Sequence, residues 1–123
     1  MRTPFACADA YKLSHWIQYP QDVVYVYSNL TPRRSLRPGI DHFVFFGLQA
    51  FLQKLDRKFR DDFFMLPLKT ALSEFTGFYK TFFGEEPTEP QMKAVSDLHL
   101  LGFLPLKIMA LPEGSVVPHG YRS

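Results

Sequence analysis

Residues 67–102 leave the chain less local freedom than any other part. Leu68, Leu72, Phe75, Tyr79 and Phe82 recur at the spacing of one helical face, which predicts a helix over 67–83. Gly84, opening "GEEP", can take the left-handed conformation that closes a helix. Thr88 and Gln91 then stand at capping-box spacing, with Pro90 in the first turn, where its missing N–H costs little. Met92, Val95 and Leu98 follow on one face, and Gly102 supplies the stop.

The flanking stretches read differently. Residues 9–19 form a short helical or turn segment ending before Pro20, because the residue preceding a proline avoids the helical region. "DVVYVYSNL", residues 22–30, is rich in strand formers and apolar on both faces, so a strand covered on both sides is expected. It runs into the proline- and glycine-punctuated loop "TPRRSLRPGIDH". In "FVFFGLQAFLQKLDRKF", Val44, Leu48, Phe51, Leu52, Leu55 and Phe59 fit one face of a helix. "LPLKIMALPEGSVVPHG" reads as two strands around the turn Pro112-Glu113-Gly114. The expected architecture is α+β, one layer of helices against a sheet, with residues 1–123 forming a single domain.

Bulk properties exclude several classes. A chain with 46% apolar and 21% charged residues is globular rather than disordered. A net charge of +2 is too weak a field to argue for nucleic acid. No apolar run approaches the roughly 18 residues a membrane helix needs, and no secretory signal is visible. The lone cysteine, Cys7, cannot form an internal disulfide, suits a reducing compartment, and is expected as a small buried hydrophobe. A cytoplasmic protein is the reading. Thirteen phenylalanines and six tyrosines are hard for a small domain to hide, which hints at a further domain or subunit.

Candidate chemistry is sparse. There is no glycine-rich phosphate loop, and His15, His42, His99 and His119 lack metal-ligand spacing. Three features survive. Asp9 and Tyr11 sit in a crowded segment, "DAYKLSHWIQYP", which also holds Lys12, His15, Trp16 and Tyr19. A phenol ring can stack on a flat heterocycle, and a carboxylate can accept from an amide NH₂, so the pair favours a carboxamide over a carboxylate. On pattern alone the ordinary roles outweigh this, with Asp9 as a helix cap and Tyr11 as a half-buried core ring. Arg33 and Arg34, with Arg37 beyond, follow a predicted strand and could clamp phosphate oxygens, although a solvated basic loop is the stronger reading on pattern alone. The proline-bounded "LPEGSVVPHG" reads as scaffold.

Four stretches, in order, carry a resemblance. "ADAYKLSHWIQYP", "VYSNLTPRRS", "FVFFGLQAFLQKL" and "LPLKIMALPEGSVVPHG" are similar to the start of the nicotinamide phosphoribosyltransferase family, across residues 8–120. Between residues 60 and 100 the likeness is in helical character alone. The resemblance implies an N-terminal domain of an enzyme joining nicotinamide to phosphoribosyl pyrophosphate, giving nicotinamide mononucleotide and pyrophosphate in NAD salvage. Members are head-to-tail homodimers with the site at the subunit boundary. Residue by residue, Tyr11 matches a tyrosine stacked on the nicotinamide by the neighbouring subunit, Asp9 an acid beside that ring, and Arg33 an arginine on the nucleotide phosphate. Mg²⁺ would accompany phosphoribosyl pyrophosphate in the complete enzyme, and this chain would bind no cofactor alone.

Departures bear on the expectation. Members are several times longer, and their catalytic histidine and barrel lie beyond the stretch matched here, so the isolated chain is expected to be an inactive N-terminal piece. Ala8 and Ala10 replace a threonine and a serine of the family pattern. Two alternatives stay open: the N-terminal domain of a nicotinate phosphoribosyltransferase, which also carries an Asp-x-Tyr pattern, and a non-catalytic binding or regulatory module.

Overall fold

The computed structural model describes residues 3–119; the Trp16 side chain and Gly120 lie outside the described residues. In chain order the elements are a 3₁₀ turn (Pro4–Cys7), a longer 3₁₀ helix (Ala10–Gln18), strand β1 (His42–Phe45), helix α1 (Leu48–Phe59), a π-helical turn (Arg60–Phe64), helix α2 (Leu68–Phe83), helix α3 (Glu89–Leu101) and strand β2 (Ser115–Pro118). The fold is α+β, as expected.

The sequence signals around α2 and α3 are realised residue by residue. Gly84 and Gly102 close the two helices at φ 70° and 84°, a region that only glycine enters without steric cost. At the start of α3 the Gln91 amide donates to Thr88 Oγ1 at 3.4 Å, and the Thr88 amide donates back to Gln91 Oε1 at 2.9 Å. The buried side of α2 is rotated from the expected stripe. Phe78 and Ala71 are buried beside Phe75 and Tyr79, whereas Phe82 lies 62% exposed. The small Ala71 lets neighbouring elements approach where a larger side chain would hold them off.

The core is built from aromatic edges. Phe63, on the π turn, is buried together with Ala71, Phe75, Tyr79 and Val95. Phe5 reaches in from the N-terminal turn, its ring edge-on to Phe59, Phe63 and Phe75 at centroid distances of 5.8, 5.4 and 5.2 Å. Such contacts set a positive ring edge on a negative face, adding about 0.5–1.5 kcal/mol per pair to area burial. The π turn positions Phe63: the Met65 amide donates to the Arg60 carbonyl at 2.9 Å, and Lys58 pairs with Asp62 at 2.6 Å across it. His99 closes this corner, its Nε2–H donating to the Leu66 carbonyl at 2.8 Å and its ring edge-on to Phe63.

Five expectations are corrected. Residues 22–30 form no strand and are exposed on both faces, because propensity cannot make a ladder without a neighbouring chain to bond. The helix read from 43 onward starts only at Leu48: residues 42–45 are β1, and Gly47 at φ 97° separates the two. The C-terminal hairpin is absent, since β2 pairs antiparallel with β1, His42 opposite Pro118 and Phe45 opposite Ser115, rather than with residues 104–111. The core is helix on helix, and no residue of β1 or β2 is fully buried, so the expected layer of helices on a sheet does not form. Cys7, expected inside, is exposed, because it ends a turn whose inward positions are taken by Pro4 and Phe5.

Candidate functional site

The segment carrying Asp9 and Tyr11 is organised by its 3₁₀ period. Side chains three apart eclipse in such a helix, so one row faces in and the others face out. Ala10 and Leu13 form the partly buried row; Tyr11, Lys12, Ser14, His15 and Ile17 are exposed. Two ties hold the row down. Leu13 packs against the aromatic core, and its carbonyl accepts from Gln91 Nε2 at 3.4 Å. Gln91 is 3% exposed, so this bond is shielded from water. Inside the segment, the Lys12 amide donates to the Asp9 carbonyl at 3.0 Å and Ser14 Oγ donates to the Tyr11 carbonyl at 3.0 Å.

Tyr11 is therefore not a core ring. It lies 57% exposed, tilted against the His15 imidazole at 5.2 Å. Asp9 is exposed just ahead of it, and its side chain engages no partner among the described residues. It contributes its carbonyl, not its carboxylate, to the first turn. Among the described residues, neither the Asp9 carboxylate nor the Tyr11 hydroxyl is held by a hydrogen bond.

Arg33 and Arg34 are exposed in the loop after residues 23–30. Downstream the loop folds on itself: Ser35 Oγ donates to the Arg37 carbonyl at 2.9 Å and accepts from the Arg37 amide at 3.1 Å. No hydrogen bond, ion pair or ring contact joins Arg33 to Asp9 or Tyr11 among the described residues. Asp9 and Tyr11 share the N-terminal segment, whereas Arg33 lies in the loop after residues 23–30.

Two surface hollows lie apart from these groups in their lining. A cleft of about 200 Å³ lies between Phe5, Lys12, Leu13, Gln91, Val95 and Leu98, and another of about 320 Å³ between Leu52, Leu55, Leu104, Leu106 and Ile108. Both are mainly apolar and open to solvent. Among the described residues no group of three or more His, Cys, Asp or Glu side chains could hold a metal ion. Among the described residues no helix is long and apolar enough to cross a membrane.

"LPEGSVVPHG" has a structural task that sequence reading missed. The Glu113 carboxylate accepts from the Gly47 amide at 2.7 Å and the Gln49 amide at 3.1 Å, capping α1 from across the fold. The same turn sends the Gly114 amide to the Phe45 carbonyl at 2.7 Å. At the far end of the sheet, His42 Nδ1–H donates to the Asp41 carboxylate at 2.7 Å, holding that carboxyl below its usual range. "PEG" alone signals a turn; that its acid reaches a distant helix is invisible locally.

The elements define an α+β domain with Asp9, Tyr11 and Arg33 exposed on its surface. The chain belongs to the nicotinamide phosphoribosyltransferase N-terminal domain family, whose model matches residues 5–108. It is 42% identical over 120 residues to a nicotinamide phosphoribosyltransferase of Acinetobacter baylyi, covering 93% of this chain and 23% of that protein. It is 34% identical over 113 residues to one from Xanthomonas campestris pv. campestris, covering 89% of this chain and 21% of that protein. The chain thus spans less than a quarter of the length of these curated relatives. No solved structure gives a significant match. Asp9, Tyr11 and Arg33 all fall inside the matched span; Glu113 lies beyond it.

Proposed function

We propose that this chain furnishes the N-terminal part of a nicotinamide phosphoribosyltransferase site and is inactive alone. The observation that carries the reading is the exposure of Tyr11 and Asp9 within a segment whose opposite row is anchored to the core. In the proposed complete enzyme, two copies meet head to tail, and each lends this segment to its neighbour's pocket. Tyr11 stacks on the nicotinamide ring. Asp9 accepts from the carboxamide NH₂ and repels nicotinate, whose carboxylate would face a like charge. Arg33 forks onto phosphate oxygens.

The reaction in this reading is a dissociative glycosyl transfer: the bond from the anomeric carbon to pyrophosphate breaks as the pyridine nitrogen bonds to that carbon. Stacking holds the nitrogen in line, an entropic contribution, and the guanidinium offsets charge on phosphate. Mg²⁺ would arrive with phosphoribosyl pyrophosphate. The described residues contain no acidic cluster to fix it, so no step here is assigned to the ion. The proposed setting is NAD salvage in the cytoplasm, with neither nucleic acid nor membrane as partner.

The test is a chimera in which this chain replaces the matching 120-residue segment of the Acinetobacter relative. Nicotinamide mononucleotide formation is expected from the chimera and not from the isolated chain. Tyr11→Ala should raise KM for nicotinamide about tenfold, the size of a lost stacking contact. Arg33→Ala should raise KM for phosphoribosyl pyrophosphate about 10–100-fold, the size of a lost charged hydrogen bond. An active chimera indifferent to both substitutions would overturn the assignment, as would turnover by the pure 123-residue chain.

A further inference from the structure

Tyr11 is exposed, yet its ring has a neighbour. The His15 imidazole lies against it at a centroid distance of 5.2 Å, the planes tilted by 55°, within the range of an aromatic contact. Both side chains face solvent, so the contact seals no core. Among the described residues no other ring touches the phenol, and its hydroxyl takes no hydrogen bond. No hydrogen bond or ion pair joins the flanking charges, Asp9 and Lys12, to it either. Ser14, next along the Tyr11 row, is engaged elsewhere: its Oγ donates to the Tyr11 carbonyl at 3.0 Å and ties down the backbone, not the ring. The main chain beneath Tyr11 is thus fixed, while the direction of the ring is left to one adjacent side chain.

We propose that His15 is a positioning residue: it holds the Tyr11 ring in one orientation, pre-set to stack on a flat heteroaromatic ligand. The inference rests on the reading of Tyr11 as the stacking ring. An exposed aromatic side chain shares its time among staggered χ1 wells. A ligand that needs one of those wells binds more weakly by the fraction of time the ring spends there. The 3₁₀ winding supplies the geometry. With three residues per turn, the residue four along falls in the neighbouring row, so His15 stands beside Tyr11, whereas Ser14 stands directly over it. A single neighbouring ring can cover only one face of the phenol, and Tyr11 keeps 57% of its surface open. In this assignment His15 acts through the Tyr11 ring and touches no substrate.

Two measurements test this. In the 123-residue chain, three-bond couplings and nuclear Overhauser effects should place Tyr11 in a single χ1 well, its ring protons close to those of His15. His15→Ala should average the couplings over the wells. His15→Phe, which keeps a ring but neither the imidazole's charge nor its hydrogen bonds, should return them to one. In the Acinetobacter chimera, His15→Ala should raise KM for nicotinamide about two- to threefold, the effect of sharing the ring among two or three wells. The value of kcat and the KM for phosphoribosyl pyrophosphate should change little, and His15→Phe should restore the nicotinamide KM. In a Tyr11→Ala background, His15→Ala should add nothing, whereas a general structural loss would add and would move both KM values. A Tyr11 ring that already averages in the native chain, or that stays fixed without His15, would overturn the proposal. So would a chimera that responds to Tyr11→Ala and not to His15→Ala, which leaves the stacking reading intact. An active chimera indifferent to Tyr11→Ala overturns the stacking reading, and with it the role given to His15, even where the couplings show the ring held. With an inactive chimera, the couplings decide.

Discussion

The Glu113 carboxylate holds the Gly47 amide at 2.7 Å across 66 residues of sequence. Gly47 sits at φ 97°, so the chain can swing from β1 into α1, and the acid meets the first free amides of that helix. A negative charge there also complements the positive end of the helix dipole. One residue thus ties the C-terminal turn, the sheet and a helix start together.

Glu113→Ala should lower stability by about 1–2 kcal/mol, the range for losing a helix cap that also bonds two amides. Glu113→Gln keeps an acceptor and should lose about half as much. Urea unfolding followed by far-UV circular dichroism measures both. An unchanged midpoint in Glu113→Ala would mean that the turn does not anchor α1.

Phe5→Ala should cost about 2–4 kcal/mol, because three edge-on ring contacts and a plug in the core vanish together. Phe5→Leu refills most of the volume but not the quadrupole contacts, and should fall between. If both variants melt with the native chain, the N-terminal turn is not part of the core.

Gln91→Ala removes the capping-box partner of Thr88 and the bond to the Leu13 carbonyl at once. Thr88→Ala removes only the cap and should cost about 1 kcal/mol. Gln91→Ala should cost more and also speed amide exchange through residues 10–18. Equal exchange in the two variants would show that Gln91 does not hold the segment presenting Tyr11.

Tyr11→Ala and Arg33→Ala should each leave the stability of the isolated chain within about 0.5 kcal/mol of native, as for other exposed side chains. A larger loss for Tyr11→Ala would return the ring to a structural role and weaken its assignment to a ligand.

Acid should release one local tie. The Asp41 carboxyl, held low by the His42 N–H, favours the fold at pH values above the ordinary carboxylate range, and that support fades as pH falls through its lowered value. Asp41→Asn should flatten the acid limb of a stability-against-pH curve. An identical limb in the variant would assign it elsewhere.

How much of this was legible in the chain depended on how far each interaction reaches along it. The stops at Gly84 and Gly102, the Thr88–Gln91 box and the segment before Pro20 are settled within a turn or two of helix, and sequence alone determined them. Asp9, Tyr11 and Arg33 could be nominated from their chemistry and from family resemblance. Tertiary structure decided that Leu13 and not Tyr11 turns inward, because that depends on where Gln91 and the core lie. It decided that β1 pairs with β2 and that residues 23–30 stand open, because a strand exists only where another chain segment bonds to it. Cys7 and Phe82 were misplaced for the same reason: burial is set by neighbours remote in sequence, and local pattern carries no record of them.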